Sequence, residues 1–419
     1  MQTIEYGEIS PTSSVTSGFN RWCRSKVLGR LGELTAGYLV IRDVDGEYLL
    51  GQPTSRLRAE IEISEMSFWR MMASGGSVGA GEAFVAGLWN SPDLVAVIRV
   101  LAANRGTLDR MERGGARVYG WLMRMLHHFN RNSVEGSRRN IAAHYDLGNE
   151  FFGHWLDIRM QYSSGLFRQD DESLEQAQYN KLDRIAEKLE LGPHDHLLEI
   201  GTGWGGLAIF MAGRTGCRVT TTTISSEQYD YAVEQVRRAG LESRVEVLLQ
   251  DYRELEGRYD KVVSVEMIEA VGAEFLDTYL AKIRSLLQPD GLALIQAITI
   301  EDFRYESALK SVDFIKRYIF PGSFIPSVSA IASSMGRATD LALIELFDFG
   351  ESYALTLKAW RERFESRWDE IRAMGFDEAF GRRWRFYLAY CEGGFSERAI
   401  SDVHLLLASP GYRKRPGRA

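Results

Sequence analysis

Gly201, Gly203 and Gly206 spell G-x-G-x-x-G directly after the apolar run HLLEI. Between a strand and a helix, such a loop turns tightly, brings backbone close to a ligand and offers unpaired N–H groups at the helix start. The chemistry indicated is the holding of a nucleoside cofactor, and the loop alone fits NAD, S-adenosylmethionine or plain packing. Two neighbouring features separate them. Glu199 stands just before the loop, where a carboxylate suits the cationic amino group of a methionine moiety and repels a pyrophosphate. An NAD site usually has an acidic residue about 20 positions further on for the ribose hydroxyls. Here that place holds the run Thr220, Thr221, Thr222 and Thr223, so hydroxyls and Gln228 would do that work. These residues favour the sulfonium cofactor. His144, Tyr145 and Asp146 tempt toward a metal or a His-Asp dyad. Adjacent side chains on a regular element diverge, so a loop closing over the cofactor is the better reading and no metal is expected.

The elements that must position this loop are legible as an alternation of strands and helices from about His194 onward. HLLEIG, CRVTTTTI, RVEVLLQD, YDKVVSVEMI and GLALIQAITI read as strands, with helices over Gly206 to Gly213, Ser226 to Ala239 and Phe275 to Leu287. The expected fold class is α/β, a Rossmann-like nucleotide-type domain with a smaller α+β domain ahead of it. In that first domain, residues 1–104, YLVIRD and EYLLGQ flank an Asp45-Gly46 dipeptide that signals a hairpin. Ser67 to Met72 and Leu94 to Ala103 read as helices separated by a glycine-rich loop, SGGSVGAGEAF. Residues 105–139 form a basic linker with Arg110, Arg113, Arg117, Arg124 and Arg131 among Tyr119, Trp121, Leu122, Met125, Leu126 and Phe129. Basic residues interleaved with large apolar ones suit an anionic bilayer, and equally a solvated face of an interdomain helix. Residues 140–419 form the cofactor domain with a helical C-terminal extension.

Composition narrows the function classes. In 419 residues, 45% are hydrophobic and 26% charged, the balance of a folded globular chain long enough for two or three domains. A net charge of -7 argues against a nucleic-acid binder. The three cysteines, Cys23, Cys217 and Cys391, lie far apart, which fits neither a disulfide framework nor a cysteine zinc site and suits a reducing compartment. No basic n-region precedes an apolar run at the N-terminus, and no stretch of about 18 apolar residues occurs, so neither export nor a membrane span is expected.

The chain resembles the cyclopropane-fatty-acyl-phospholipid synthase family of S-adenosylmethionine-dependent methyltransferases. NIAAHYDLGNEFF, MQYSSGLF, LEIGTGWGG, TISSEQ, VSVEMIEAVG, YIFPGSFIPS, SYALTLKAW and YCEGGF carry the likeness, and GGSVGAGEAFVAGLWNSPDL extends it into the first domain. The resemblance implies methyl transfer to a cis double bond of an unsaturated phospholipid acyl chain, followed by ring closure. It also implies cofactor walls from Tyr145, Tyr162, Ser163 and Trp204. Candidate contacts from the strand ends are Glu199, Gly201, Gly203, Gly205, Thr223, Ile224, Gln228, Asp251 and Tyr252. Attack by an alkene leaves a carbocation that must lose a proton to a base, and the family is known to use a bound bicarbonate. The matching positions are Glu269, to accept the bicarbonate O–H, and Tyr353, to donate to its anionic oxygen, with backbone contact from Ile298. A helix-start carboxylate and an ordinary packed tyrosine are the plain alternatives for Glu269 and Tyr353.

Two departures stand out. The family's best-known members carry a histidine where this strand has Gln296, an amide that donates but does not titrate near neutral pH. The family cysteine in MQYSSGLF is Ser164, which removes a thiolate there, while Cys391 remains and reads as a small buried side chain more often than a bicarbonate ligand. A weakened base would let a hydride shift intervene and give a methylene-branched chain. Tyr305, Leu309, Val312, Ile315 and Ile319 recur at helical spacing, with Phe320, Phe324 and Ile325 beyond, and either line an acyl groove or pack a core. The enzyme is expected to be cytoplasmic and peripherally bound to the inner face of the membrane. Its contacts would be the arginine segment and the tail residues Arg413, Lys414, Arg415 and Arg418. The resemblance suggests a homodimer. Rival readings are a methyltransferase for a small soluble acceptor, a lipid-binding protein that lost catalysis, and an NAD dehydrogenase.

Overall fold

The computed structural model describes residues 15–106 and 147–414. Tyr145 with its neighbours His144 and Asp146, nearly all of the arginine segment, and Arg415 and Arg418 lie outside those residues. The chain divides into two compact units, Met1–Tyr119 and Gly120–Ala419.

In the first unit, β1 (Tyr38–Asp43) and β2 (Gly46–Gly51) form the expected hairpin, with Asp43 opposite Gly46. β3 (Arg58–Ile63) lies parallel to β1, and β4 (Trp89–Asn90) closes a sheet of order β2-β1-β3-β4. Three helices accompany it, α1 (Val15–Leu31), α2 (Ser67–Val85) and α3 (Leu94–Ala103). The glycine-rich loop expected after Met72 is instead the middle of α2, interrupted only at Gly76 (φ 55°, ψ -131°). A Cβ at Gly79 would lie 2.1 Å from the Met71 carbonyl oxygen, so glycine there permits two backbone segments to touch.

The second unit is a doubly wound sheet of order β10-β11-β9-β8-β5-β6-β7. Its strands are β5 (His196–Ile200), β6 (Arg218–Thr223), β7 (Val245–Leu249), β8 (Tyr259–Val265), β9 (Leu287–Ile300), β10 (Ala342–Asp348) and β11 (Ile400–Ala408). The first five are mutually parallel, and β11 runs antiparallel to both β9 and β10. Beyond β9 the chain is mainly helical but also supplies β10 and β11, which complete the sheet. Successive strand residues enter opposite cores. Leu198 and Ile295 pack in the layer with α8 (Leu276–Leu286), while Leu197 and Leu294 pack in the layer with α5 (Leu174–Lys188) and α6 (Gly206–Thr215). α4 (Asn149–Gly153) precedes this sheet, and α7 (Ser226–Arg238) links β6 to β7. The segment after β9 carries α9 (Asp302–Leu309), α10 (Phe314–Tyr318) and α11 (Val328–Ala338). Between β10 and β11 lie α12 (Gly350–Ser366), α13 (Trp368–Ala373) and α14 (Glu378–Ser396).

Chain order reverses beside β5, with β6 on one flank and β8 on the other. Ligands of open α/β sheets bind outside the carboxyl ends of strands at such a switch point. Residues 201–205, 224–228, 250–252 and 266–269 all leave the sheet at that edge.

Candidate active site

The cofactor loop adopts backbone that glycine favours, with positive φ at Gly201 (100°), Gly203 (52°) and Gly205 (85°), and Gly205 caps α6. A Cβ at Gly203 would meet nothing within 4 Å, so that side of the loop is open to a ligand, whereas one at Gly206 would sit 2.2 Å from the Arg159 carbonyl oxygen. Gly206 thus serves packing. The loop is tied down by Gly201 and Thr202, whose N–H groups both donate to the Thr222 carbonyl (3.1 and 3.0 Å). Thr202 and Thr221 join through their hydroxyls at 2.7 Å.

Glu199 is 3% exposed, and among the described residues its Oε2 has no hydrogen-bond partner. Burial pushes its carboxyl up to about 8, against a hydrogen bond from Thr221 and the charge of Lys181. An orphaned carboxylate oxygen at the mouth of an open glycine loop fits the ammonium of S-adenosylmethionine, and the open face at Gly203 suits close approach of the ligand to backbone.

The other expected cofactor contacts are placed as follows. Thr223 donates to Gln228 Oε1 at 3.0 Å, and Ile224 is half-buried at the end of β6. Asp251 is buried and takes two bonds from the Arg253 guanidinium at 2.8 and 2.7 Å. The Tyr252 ring packs edge-on to Tyr279 at 5.6 Å in the core, so its side chain turns away from the crevice. Trp204 Nε1 donates to Asn149 Oδ1 at 2.6 Å, and its ring lies 5.0 Å from Phe152. Tyr162 shares a 2.9 Å hydrogen bond with the Tyr387 hydroxyl and stands among Trp155, Trp360 and Phe320. Ser163 Oγ accepts from Lys181 Nζ at 2.6 Å, and its carbonyl accepts from Gln178 Nε2 at 2.8 Å.

A carboxylate cluster lies next to this loop. A Cβ at Gly201 would sit 2.9 Å from Met267 Cγ, which brings the loop against the segment holding Glu266 and Glu269. Glu266 Oε1 accepts from the Ser164 N–H at 2.8 Å and from Gln296 Nε2 at 2.9 Å, while Oε2 accepts from the Tyr353 hydroxyl at 2.6 Å. Burial pushes the Glu266 carboxyl up, opposed by Tyr353, Ser164, Lys181 and Gln296. Tyr353 therefore meets Glu266, not Glu269. Glu269 Oε1 accepts from the Ile298 N–H at 2.6 Å, and its Oε2 has no partner among the described residues. Burial, then the neighbouring Glu266, raises Glu269 to about 8. The donors that the resemblance assigns to bicarbonate, Tyr353 and Ile298, are thus engaged by the chain's own carboxylates.

Behind the cluster, Gln296 Nε2 also donates to Asp402 Oδ2 at 2.7 Å, and Gln296 Oε1 meets His404 Nε2 at 3.2 Å. Gln296 and His404 face each other in the β9–β11 register. The segment after Ser164 is held between α5 and α12, since the Leu166 N–H donates to the Ala177 carbonyl at 2.9 Å, the Gly165 N–H to Thr356 Oγ1 at 3.0 Å and the Phe167 N–H to Ser352 Oγ at 3.1 Å. Cys391 on α14 makes no hydrogen bond to the cluster among the described residues, and burial pushes its thiol up. Tyr305 and Leu309 pack against the core that contains Phe324, and the helical stripe breaks between α9 and α10. Among the described residues no group of three His, Cys, Asp or Glu side chains is arranged to hold a metal.

Sequence reasoning passed over Glu266, Lys181, Asp402 and His404. Its one available signal was VSVEMIEAVG itself, which carries two glutamates at the carboxyl end of a strand.

A doubly wound sheet with this glycine loop, buried glutamate and carboxylate cluster at its switch point defines a Rossmann-like methyltransferase that uses S-adenosylmethionine. Residues 132–405 match the family described as mycolic acid cyclopropane synthetase, and the chain belongs to that family. It is a C-methyltransferase of the cyclopropane-synthase type. Tuberculostearic acid methyltransferase UfaA1 of Mycobacterium tuberculosis is 40% identical over 337 residues, covering 78% of this chain and 77% of that protein. Cyclopropane-fatty-acyl-phospholipid synthase of Escherichia coli K12 is 38% identical over 344 residues, covering 82% of this chain and 86% of the relative. The solved cyclopropane synthase MmaA2 of Mycobacterium tuberculosis superposes with a TM-score of 0.61 at 27% identity, covering 65% of this chain and 98% of its own. Mycolic acid cyclopropane synthase CmaA1, solved with SAH and CTAB, gives 0.60 at 27% identity, with coverage of 65% and 98%.

Proposed function

We propose that the chain methylates a cis double bond of an unsaturated phospholipid acyl chain and closes the product to a cyclopropane. The observation that carries this reading is the contact between the cofactor loop and a buried carboxylate cluster, Gly201 against Met267 with Glu266 alongside. S-adenosylmethionine supplies an electrophilic methyl group on sulfur. An alkene is a weak nucleophile, so it needs a dry enclosure that holds it in line with that methyl carbon. Tyr162, Trp155, Trp360 and Phe320 offer aromatic faces that exclude water and favour a developing cation. The alkene π pair forms the new C–C bond while sulfur keeps its former bonding pair, leaving the positive charge on the adjacent carbon. A C–H pair of the transferred methyl group then closes the ring, and its proton passes to a base. The similarity to the Escherichia coli synthase supports this choice of acceptor.

A second reading rests on the relative named tuberculostearic acid methyltransferase and on Gln296 in place of histidine. There a hydride shift precedes proton loss, and the same C–H pair forms an exocyclic double bond. Incubation of the protein with S-adenosylmethionine and cis-unsaturated phospholipid vesicles, followed by proton NMR of the released fatty acids, tests both. Upfield ring protons support the first reading and vinylic methylene protons the second. Cofactor turnover with no altered acyl chain would refute both and favour a small soluble acceptor.

Such a substrate requires reversible contact with a bilayer. The arginine segment 105–139, with Arg413 and Lys414 exposed at the end of the described chain, is the proposed contact. No helix among the described residues is long and apolar enough to cross a membrane.

A further inference from the structure

We infer that the Glu266 carboxylate stands where a free bicarbonate would otherwise be held and is itself the proton acceptor of the reaction. The inference deepens the proposed methyl transfer to an alkene and rests on it. Three donors from separate parts of the fold converge on this one side chain, namely the Ser164 N–H, the Gln296 amide and the Tyr353 hydroxyl. Carboxylate and bicarbonate both present a planar pair of anionic oxygens, so donors set for one are set for the other. With Glu266 present, those donors are taken.

Backbone geometry points the same way. Glu266 has φ +47°, left-handed backbone that glycine adopts freely and a glutamate adopts under strain. Strained residues of this kind cluster at functional sites, where the surroundings hold them. Here the Glu266 N–H donates to the Gln296 carbonyl at 2.9 Å, and the side chain is clamped by the donors named above. The strain delivers a carboxylate to a defined point on the segment whose Met267 packs against Gly201 of the cofactor loop.

Charge excludes an extra anion. The fully buried Lys181 feels the charge of Glu266, Asp157, Asp402 and Glu199, while burial and the neighbouring Glu266 push Glu269 up to about 8 and push Asp402 well above the ordinary carboxyl range. Only Glu266 collects enough hydrogen bonds to carry the negative charge. A bicarbonate added beside it would bring a second anion against Glu266, whose three donors are already engaged. In the reaction, the C–H pair of the transferred methyl group becomes the closing C–C bond and the proton becomes the O–H of a neutral Glu266. Release of that proton to solvent restores the carboxylate.

The test compares the full-length protein with its Glu266→Gln and Glu266→Gly variants. Turnover of cis-unsaturated phospholipid vesicles is measured in buffer stripped of carbon dioxide and again with added bicarbonate. Wild type should turn over equally in both, within about twofold, and Glu266→Gln should lose about 100-fold or more, the scale of a lost general base, without rescue. Glu266→Gly suits the local backbone and frees the donors, so it should be inactive in stripped buffer and recover at least about tenfold with bicarbonate. NMR titration with ¹³C-bicarbonate should show binding to Glu266→Gly and none to wild type. Bicarbonate dependence of the wild type, or Glu266→Gln activity near that of wild type, overturns the assignment. If wild type alters no lipid, the proposed function fails, and the bicarbonate titration still decides Glu266, because binding to wild type would overturn its place.

Discussion

Glu199 makes cofactor affinity depend on pH in a way that can be worked out in advance. Its carboxyl is raised to about 8 by burial, so in the free protein it is neutral below that pH. The ligand's α-amino group, with an ordinary pKa of about 7.7 to 8.0, is protonated between pH 5.5 and 7. If the orphaned Oε2 receives that ammonium, Glu199 must ionise on binding and release close to one proton. Affinity then rises about tenfold per pH unit, or about 30-fold from pH 5.5 to 7. A hydrogen bond to a charged group contributes about 3 kcal/mol at most, and ionising Glu199 costs about 1.4 kcal/mol at pH 7 and about 3.4 kcal/mol at pH 5.5. Glu199→Gln should therefore bind about 15-fold more weakly than wild type at pH 7 and within about twofold of it at pH 5.5. Calorimetry with S-adenosylhomocysteine in two buffers of different ionisation enthalpy reads both the dissociation constant and the proton count. A dissociation constant that stays flat from pH 5.5 to 7, with no proton released, would refute the pairing of Glu199 with the ammonium.

Tyr353→Phe removes one donor from Glu266, and at about 1.5 to 3 kcal/mol for such a bond the acid limb of the kcat profile should move up by about 1 to 2 pH units with cofactor affinity unchanged. An unmoved profile would remove Tyr353 from the reaction. Glu199 and Glu269, both raised to about 8, bind more protons folded than unfolded above the ordinary carboxyl range. Their stabilising contribution is full below about pH 4.5 and is lost as pH rises through 8, so Tm of the free protein should fall by roughly 2 to 4 °C per unit between pH 6 and 8. A rising Tm over that window would contradict the burial of these groups. Replacing Arg117 and Arg124 with glutamine should weaken binding to anionic vesicles and flatten its salt dependence, as sedimentation with vesicles would measure; unchanged binding would remove that segment as the contact.

The parts of this fold legible in sequence were those with local signals. Strands β5 to β9 read as apolar runs between helical stretches because a parallel sheet is buried on both faces. The glycine loop was legible because positive φ restricts residue choice. β10 and β11 were not, since ALIELFD is a half-exposed edge and VHLLLA fits a buried helix or strand equally. α2 was misread because glycines that allow close backbone contact look like glycines that make a loop. In the site, Glu199 could be placed by its distance from the loop. Glu266 could not be told from Glu269 in VSVEMIEAVG, because which of two glutamates meets Tyr353 depends on a left-handed backbone turn after β8 and on α12, 87 residues further on. Lys181 reads as one charge among many on an amphipathic helix, and only the fold turns it inward.

Gln296 looked in sequence like a weakened histidine, and its surroundings give it a different task. Its Nε2 faces two carboxyl groups, Glu266 and Asp402, while its Oε1 faces His404 Nε2. The reverse orientation would aim a carbonyl at both carboxyls, so the network fixes the amide and requires His404 to carry its proton on Nε2. Burial, then Arg184 and Lys181, holds His404 well below its ordinary pKa, which makes it a neutral donor throughout the working range. Asp402, raised by burial and by Glu266, stays protonated. The imidazole therefore lies one strand behind the reacting centre and orients an amide, and the amide in turn orients the one carboxylate left ionised. A titratable histidine at position 296 would place a second group of variable charge against Glu266. With Gln296 there, the proton affinity of Glu266 is set by fixed donors, and the centre has a single proton to gain and lose.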